Sequence, residues 1–111
     1  MRKKVVIVFT TLPVESDFLS CANTLIGQRV VACATALQHV RSVYRWNGEI
    51  KQEQEQQIVF KTTLDRVKEL WKQLQKLHPY DVPEFVVLPV IDGSEAYLNW
   101  IRESTKSGED D

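Results

Sequence analysis

The sequence has no excess of charge of either sign: Lys and Arg number 14, Asp and Glu 15, for a formal net charge of -1 over 111 residues. Basic and acidic residues are interleaved, which excludes the basic stripe that nucleic-acid binders use against phosphates. Arg2-Lys3-Lys4 is too short to form a polybasic patch for anionic lipid. Cysteine is scarce as well. Cys21 and Cys33 can form one bridge at most, which is no disulfide framework and points to a reducing, cytoplasmic setting. With Gly 4 and Pro 4, collagen-like and linker-type chains are excluded. The apolar run Val5-Val6-Ile7-Val8-Phe9 has five residues, short of the ~7–15 of a signal-peptide core and of the ~20 of a membrane span. It reads as a buried first strand, and no membrane partner is expected.

What is present is an ordinary globular composition, 43% hydrophobic and 26% charged. It predicts a single domain over residues 1–106 that buries its own core, followed by an acidic disordered tail over 107–111, Ser107-Gly108-Glu109-Asp110-Asp111. Residues 5–11 are β-branched and aromatic without alternation, as in a strand covered on both faces. Phe18, Leu19, Ala22, Leu25 and Ile26 recur at helical spacing and predict a helix over 15–28. Two β-rich runs over 30–46 and 49–62 flank Asn47-Gly48, the turn dipeptide of a tight hairpin. A second helix carries Leu64, Val67, Leu70, Trp71, Leu74 and Leu77, with Thr62 or Thr63 as cap and His78-Pro79 as stop. A strand over 85–91 has Pro89 marking an edge or bulge, and Asp92-Gly93-Ser94 caps a third helix. The order βαββαβ plus a C-terminal helix is the α+β ferredoxin-like arrangement, an antiparallel sheet with helices on one face.

The hairpin is too long for that domain. A strand over 31–46 would run about 50 Å, against roughly 30 Å for a compact domain of this size. A two-residue turn at Asn47-Gly48 sets Trp46 opposite Glu49, Tyr44 opposite Lys51, Ser42 opposite Glu53 and Val40 opposite Glu55. The returning arm is an unbroken polar run from Lys51 to Gln57. Either the arm reaches a neighbouring subunit, closing its edges in a cyclic oligomer, or it is a flexible tip.

Six stretches, in this order and spacing, resemble the CutA family of divalent-cation tolerance proteins. They are Val8-Phe9-Thr10-Thr11 with Pro13, Val31-Ala32-Cys33-Ala34, Tyr44-Arg45-Trp46-Asn47-Gly48-Glu49-Ile50, Phe60-Lys61-Thr62, His78-Pro79-Tyr80-Asp81-Val82-Pro83-Glu84 and Tyr97-Leu98-Asn99-Trp100-Ile101. The resemblance implies a homotrimer whose long hairpin joins inter-subunit sheets. It also implies a non-enzymatic role in the response to divalent metal, copper among them, and no required cofactor. The family is similar in fold and assembly to the PII signal proteins, which gives the alternative of a signalling or small-ligand-binding trimer with clefts between subunits.

The candidate metal residues are His78 and Cys33. Imidazole is a common ligand and thiolate suits Cu(I), while Cys33 between alanines also fits a small buried hydrophobe. His78 fits a ring bonded to backbone equally well. Copper-binding members of the family are described with a first-strand cysteine and two histidines before the proline; here Phe9 and Leu77 stand at the other positions and only His78 matches. Lys61, His78 and Glu84 are candidates for an inter-subunit ligand cleft, with Lys61 alternatively bridging to a carboxylate across the trimer. Tyr44, Trp46, Glu53, Glu55, Tyr80 and Trp100 are the trimer-interface candidates. An acylphosphatase-type hydrolase shares the fold class but needs an arginine in a phosphate-cradling loop after the first strand, and Thr10-Thr11-Leu12-Pro13 offers none. No C-x-x-C, H-E-x-x-H, G-x-S-x-G or phosphate-binding glycine loop occurs.

Overall fold

The computed structural model describes residues 2–107; the expected tail beyond Ser107 lies outside the described residues. Strand β1 (Val5–Pro13) leads through a turn into helix α1 (Phe18–Gly27). The helix starts three residues later than its periodicity suggests, because Ser16 N donates to Pro13 O at 3.1 Å and Asp17 caps it by accepting from Ser20 N at 3.1 Å. Strands β2 (Cys33–Trp46) and β3 (Glu49–Thr63) form the hairpin. Asn47 and Gly48 have φ of 51° and 79°, the two positive values of the predicted turn. The paired residues are the expected ones, from Trp46 with Glu49 to Val40 with Glu55.

Helix α2 (Val67–Leu77) follows a 3-10 turn at Leu64–Arg66. Thr63 does not cap it, a correction to the expectation, since its hydroxyl is buried against Thr105 Oγ1 at 3.3 Å. His78 is extended (ψ 129°) ahead of Pro79, which ends the helix as anticipated. Strand β4 (Val86–Pro89) is shorter than the predicted 85–91 and lies at a sheet edge, where the missing N–H of Pro89 costs nothing. Helix α3 (Glu95–Ser104) is capped by Ser94, whose Oγ accepts from Tyr97 N at 3.3 Å.

The sheet order β2-β3-β1-β4 is antiparallel throughout and is the ferredoxin-like topology. Alternation along the strands divides two faces. Val6, Val8, Leu12, Ile58 and Phe60 pack with Leu25 of α1 and Leu70 and Leu74 of α2 in the main core. On the other face Val5 and Ala32 are covered by Ile101 of α3. Farther along that face Ile7, Phe9 and Val59 are only half-buried, and Val86 and Leu88 of β4 are exposed. The first strand is therefore not covered on both faces within one chain. The sequence expectation of a doubly buried strand holds on one side only.

The hairpin projects. The molecule measures 48 × 27 × 22 Å with a radius of gyration of 15.0 Å, against roughly 13 Å for a compact domain of this length. A bulge between Leu37 and Val40, with His39 at φ 59°, puts one extra residue into β2. The insertion rephases the strand so that Ser42, Tyr44 and Trp46 share a face with Lys51, Glu53 and Glu55. The polar run of β3 is not wholly uncovered, however. Gln56 is buried and its Nε2 reaches Pro13 O at 2.9 Å, Ser16 O at 3.1 Å and Val14 O at 3.4 Å, tying down the β1–α1 turn. Among the described residues no helix is long and apolar enough to cross a membrane.

Candidate functional site

A cleft of about 870 Å³ opens between the hairpin arm and the 79–84 loop. The arm supplies Tyr44, Trp46, Lys51, Glu53 and Glu55, and the loop supplies Tyr80, Asp81 and Glu84. Backbone anchors hold the loop in place. His78 Nδ1 accepts the backbone N–H of Tyr80 at 3.2 Å, which assigns the ring proton to Nε2, where it donates to the Thr11 carbonyl. Thr10 Oγ1 donates to Glu84 O at 2.6 Å, and Gln57 Nε2 donates to Glu84 Oε2 at 2.9 Å. Proline at 79 and 83 limits the loop further.

The loop so fixed aims Tyr80 at Glu55, its hydroxyl donating to Oε2 at 3.0 Å. Glu55 is only 6% exposed. A carboxylate that far from water needs compensation, and this neutral donor is the hydrogen-bond partner described for it. Burial, followed by the hydrogen bond and charge of Glu55, pushes the Tyr80 phenol well above its ordinary range. Hydrogen bonding to Glu53 likewise raises Tyr44. The negative charge of Glu53 and Glu55 adds to both shifts in the same direction. Among the described residues no Lys, Arg or His lies within ion-pair distance of Glu53, Glu55, Asp81 or Glu84.

Tyr80→Phe is expected to cost about 1–3 kcal/mol by leaving Glu55 without that donor, read as a shift of the urea midpoint. Adding Glu55→Gln should recover part of the loss, and an unshifted midpoint would remove Tyr80 from this role.

The sequence candidates fall in two places. Tyr44, Trp46, Glu53, Glu55, Tyr80, His78 and Glu84 gather at the cleft. Within one chain Lys61 lies apart from His78 and Glu84, so a cleft that holds all three would have to draw them from different copies. Lys61 pairs with Ile7, four residues along β1 from Thr11, about 13 Å away. There its Nζ donates to Tyr97 Oη at 3.1 Å and lies over that ring, and this hydrogen bond raises its pKa. Cys33 sits opposite Lys61 with Sγ 3.8 Å from Thr35 Oγ1, so it is not brought to His78. Both nitrogens of His78 are engaged with backbone, which leaves the ring no free lone pair. Among the described residues no group of three His, Cys, Asp or Glu is arranged to hold a metal. Trp100 stacks on Tyr97 on α3, with centroids 5.6 Å apart. Gln57 was not anticipated, since nothing in a polar run marks which residue turns inward, and the exposed Asp81 joins the cleft only through the path of the 79–84 loop.

A family model described as CutA1 divalent ion tolerance protein matches residues 6–104. The chain belongs to the CutA1 family. A divalent-cation tolerance protein CutA from Thermotoga maritima is 41% identical over 99 residues, covering 89% of this chain and 97% of the relative. The solved Thermus thermophilus divalent cation tolerance protein (Cut A1) is 37% identical and superposes with a TM-score of 0.87, covering 92% of this chain and 99% of that one. Oryza sativa CutA1 gives a TM-score of 0.90 at 28% identity, over 96% and 98% of the two chains. CutA1 proteins are named for ion tolerance and not for a catalysed reaction. The hairpin, the cleft and the half-covered sheet thus belong to a divalent ion tolerance protein.

Proposed function

We propose that this chain acts without catalysis as a homotrimer in the cytoplasm, in the tolerance of divalent metal ions, copper among them. The observation that carries the reading is the half-covered sheet. On the face that α3 covers only in part, Ile7, Phe9 and Val59 stay half-buried and Val86 and Leu88 exposed, and at the far edge of the same sheet the 14-residue β2 has no neighbour on its outer side. Apolar surface and free edges of this kind mark an association face. Packing copies around this face removes both at once, and three copies in a ring is the assembly the family resemblance implies. Free Cys21 and Cys33 fit a reducing compartment.

The described residues hold no three-ligand group in one copy, so metal binding draws its donors from more than one. Calorimetric titration with Cu²⁺ tests this. Uptake is expected for the assembled protein and is expected to fall at least about tenfold in affinity, the loss of one ligand's worth of energy, in a variant that stays monomeric. Equal uptake by both would sink the shared site. The cleft volume favours a second reading, a small-ligand trimer of the PII-like kind, which predicts heat on addition of an organic ligand and none with copper.

A further inference from the structure

The hairpin arm has two faces of opposite character. One carries Tyr44, Trp46, Glu53 and Glu55 into the acidic cleft. The other carries Arg41, Val43 and Arg45, paired with Gln54, Gln52 and Ile50 across the strand. This second face is exposed along its length, Val43 at 62% and Ile50 at 70%. Among the described residues neither the Arg41 nor the Arg45 side chain makes a hydrogen bond or ion pair. One side of the arm and its facing loop therefore bring Glu53, Glu55, Asp81 and Glu84 together with the single cation Lys51, which lies outside ion-pair distance of them, and the other side carries guanidinium groups without anions. Because the two faces point in opposite directions across one hairpin, they cannot meet within a copy.

We propose that Arg41 and Arg45 of one copy dock in the acidic, aromatic cleft of the next. This rests on the oligomeric reading above and adds the residues that join its copies. The chemistry matches at both ends. Guanidinium binds carboxylate through two parallel hydrogen bonds and stacks on Tyr and Trp faces, as Glu53, Asp81, Tyr44 and Trp46 provide. The contact is head-to-tail, each copy giving its arm and receiving another, which is the kind of contact that builds a closed ring such as the trimer proposed above. The net charge of -1 puts little long-range repulsion in its way. The four carboxyl groups that line the cleft against Lys51 are then balanced only when a neighbour's guanidinium groups enter it.

Subunit exchange between two fluorescently labelled pools of the full chain reads this contact. Arg41→Glu with Arg45→Glu, at exposed positions without internal partners, is expected to keep the wild-type circular dichroism. It should weaken the assembly on the order of 100-fold, the loss typical of a broken close charge pair. Placing Glu53→Arg and Asp81→Arg in the same chain restores opposite charges and should return association to within about tenfold of wild type. Wild-type exchange should quicken as salt is raised. If wild type is a multimer whose exchange is the same with reversed arginines, or the charge swap gives no rescue, the arm-to-cleft contact is wrong and the oligomeric reading stands. If wild type is a monomer, both fail together. Should the glutamate variant lose its folded spectrum, Arg41→Gln with Arg45→Gln replaces it, with the same expected direction and loss of salt dependence.

Discussion

Replacing Phe60 with alanine is expected to destabilise the protein by about 3–5 kcal/mol. Phe60 lies on β3, between β2 and β1, and is 1% exposed beneath α1 and α2. A cavity there has walls from two strands and two helices, so no single element can collapse into it. That loss is a large part of a typical 5–15 kcal/mol total and corresponds to a fall of roughly 13–21 °C in Tm for a domain of this size. Association with other copies raises Tm with concentration, so wild type and variant must be melted at equal protomer concentration. A fall below about 5 °C would show that the sheet and helices repack around the gap.

Phe9→Glu acts on the opposite side of the sheet and is expected to leave the fold intact while separating the copies. Phe9 pairs with Val59 on one side and Val86 on the other, half-buried in one chain. In a monomer the new carboxylate can reach water. In an assembly packed on this face it would be buried without a partner, which costs several kcal/mol. Every 1.4 kcal/mol is tenfold in affinity, so dissociation should shift at least about 1000-fold. Sedimentation at micromolar concentration should give a monomer with a native circular dichroism spectrum and a Tm that no longer depends on concentration. A multimer of unchanged mass would show that the half-covered face lies outside the interface.

How far the sequence speaks depends on whether a feature is local. Asn47-Gly48 sets the hairpin register because both residues accept positive φ, and every later pair to Val40 follows by counting. Pro79 ends α2 for an equally local reason. The order of strands and helices carries the topology, since βαββαβ already specifies the sheet that forms. By contrast, Gln56 and Glu55 sit in a polar run that reads as solvated. They turn inward because backbone carbonyls of the β1–α1 turn and the Tyr80 hydroxyl wait for them, partners 25 and about 40 residues away in sequence. His78 left two roles open, and its neighbours decide: the Tyr80 amide and the Thr11 carbonyl take both nitrogens. Lys61 reads as serving a contact between subunits, and its bond to Tyr97 within the chain depends on the placement of α3, which no local pattern expresses. The placement of α3 across the face opposite α1 and α2 is a tertiary choice that periodicity does not express. It leaves half a sheet uncovered and makes association the central expectation.

Light scattering on a size-exclusion column tests that expectation most directly. One chain weighs 12.8 kDa; three in a closed ring weigh roughly 38 kDa, the mass expected of the wild-type protein at micromolar concentration. A single peak at the mass of one chain, unchanged on tenfold concentration, would contradict the account.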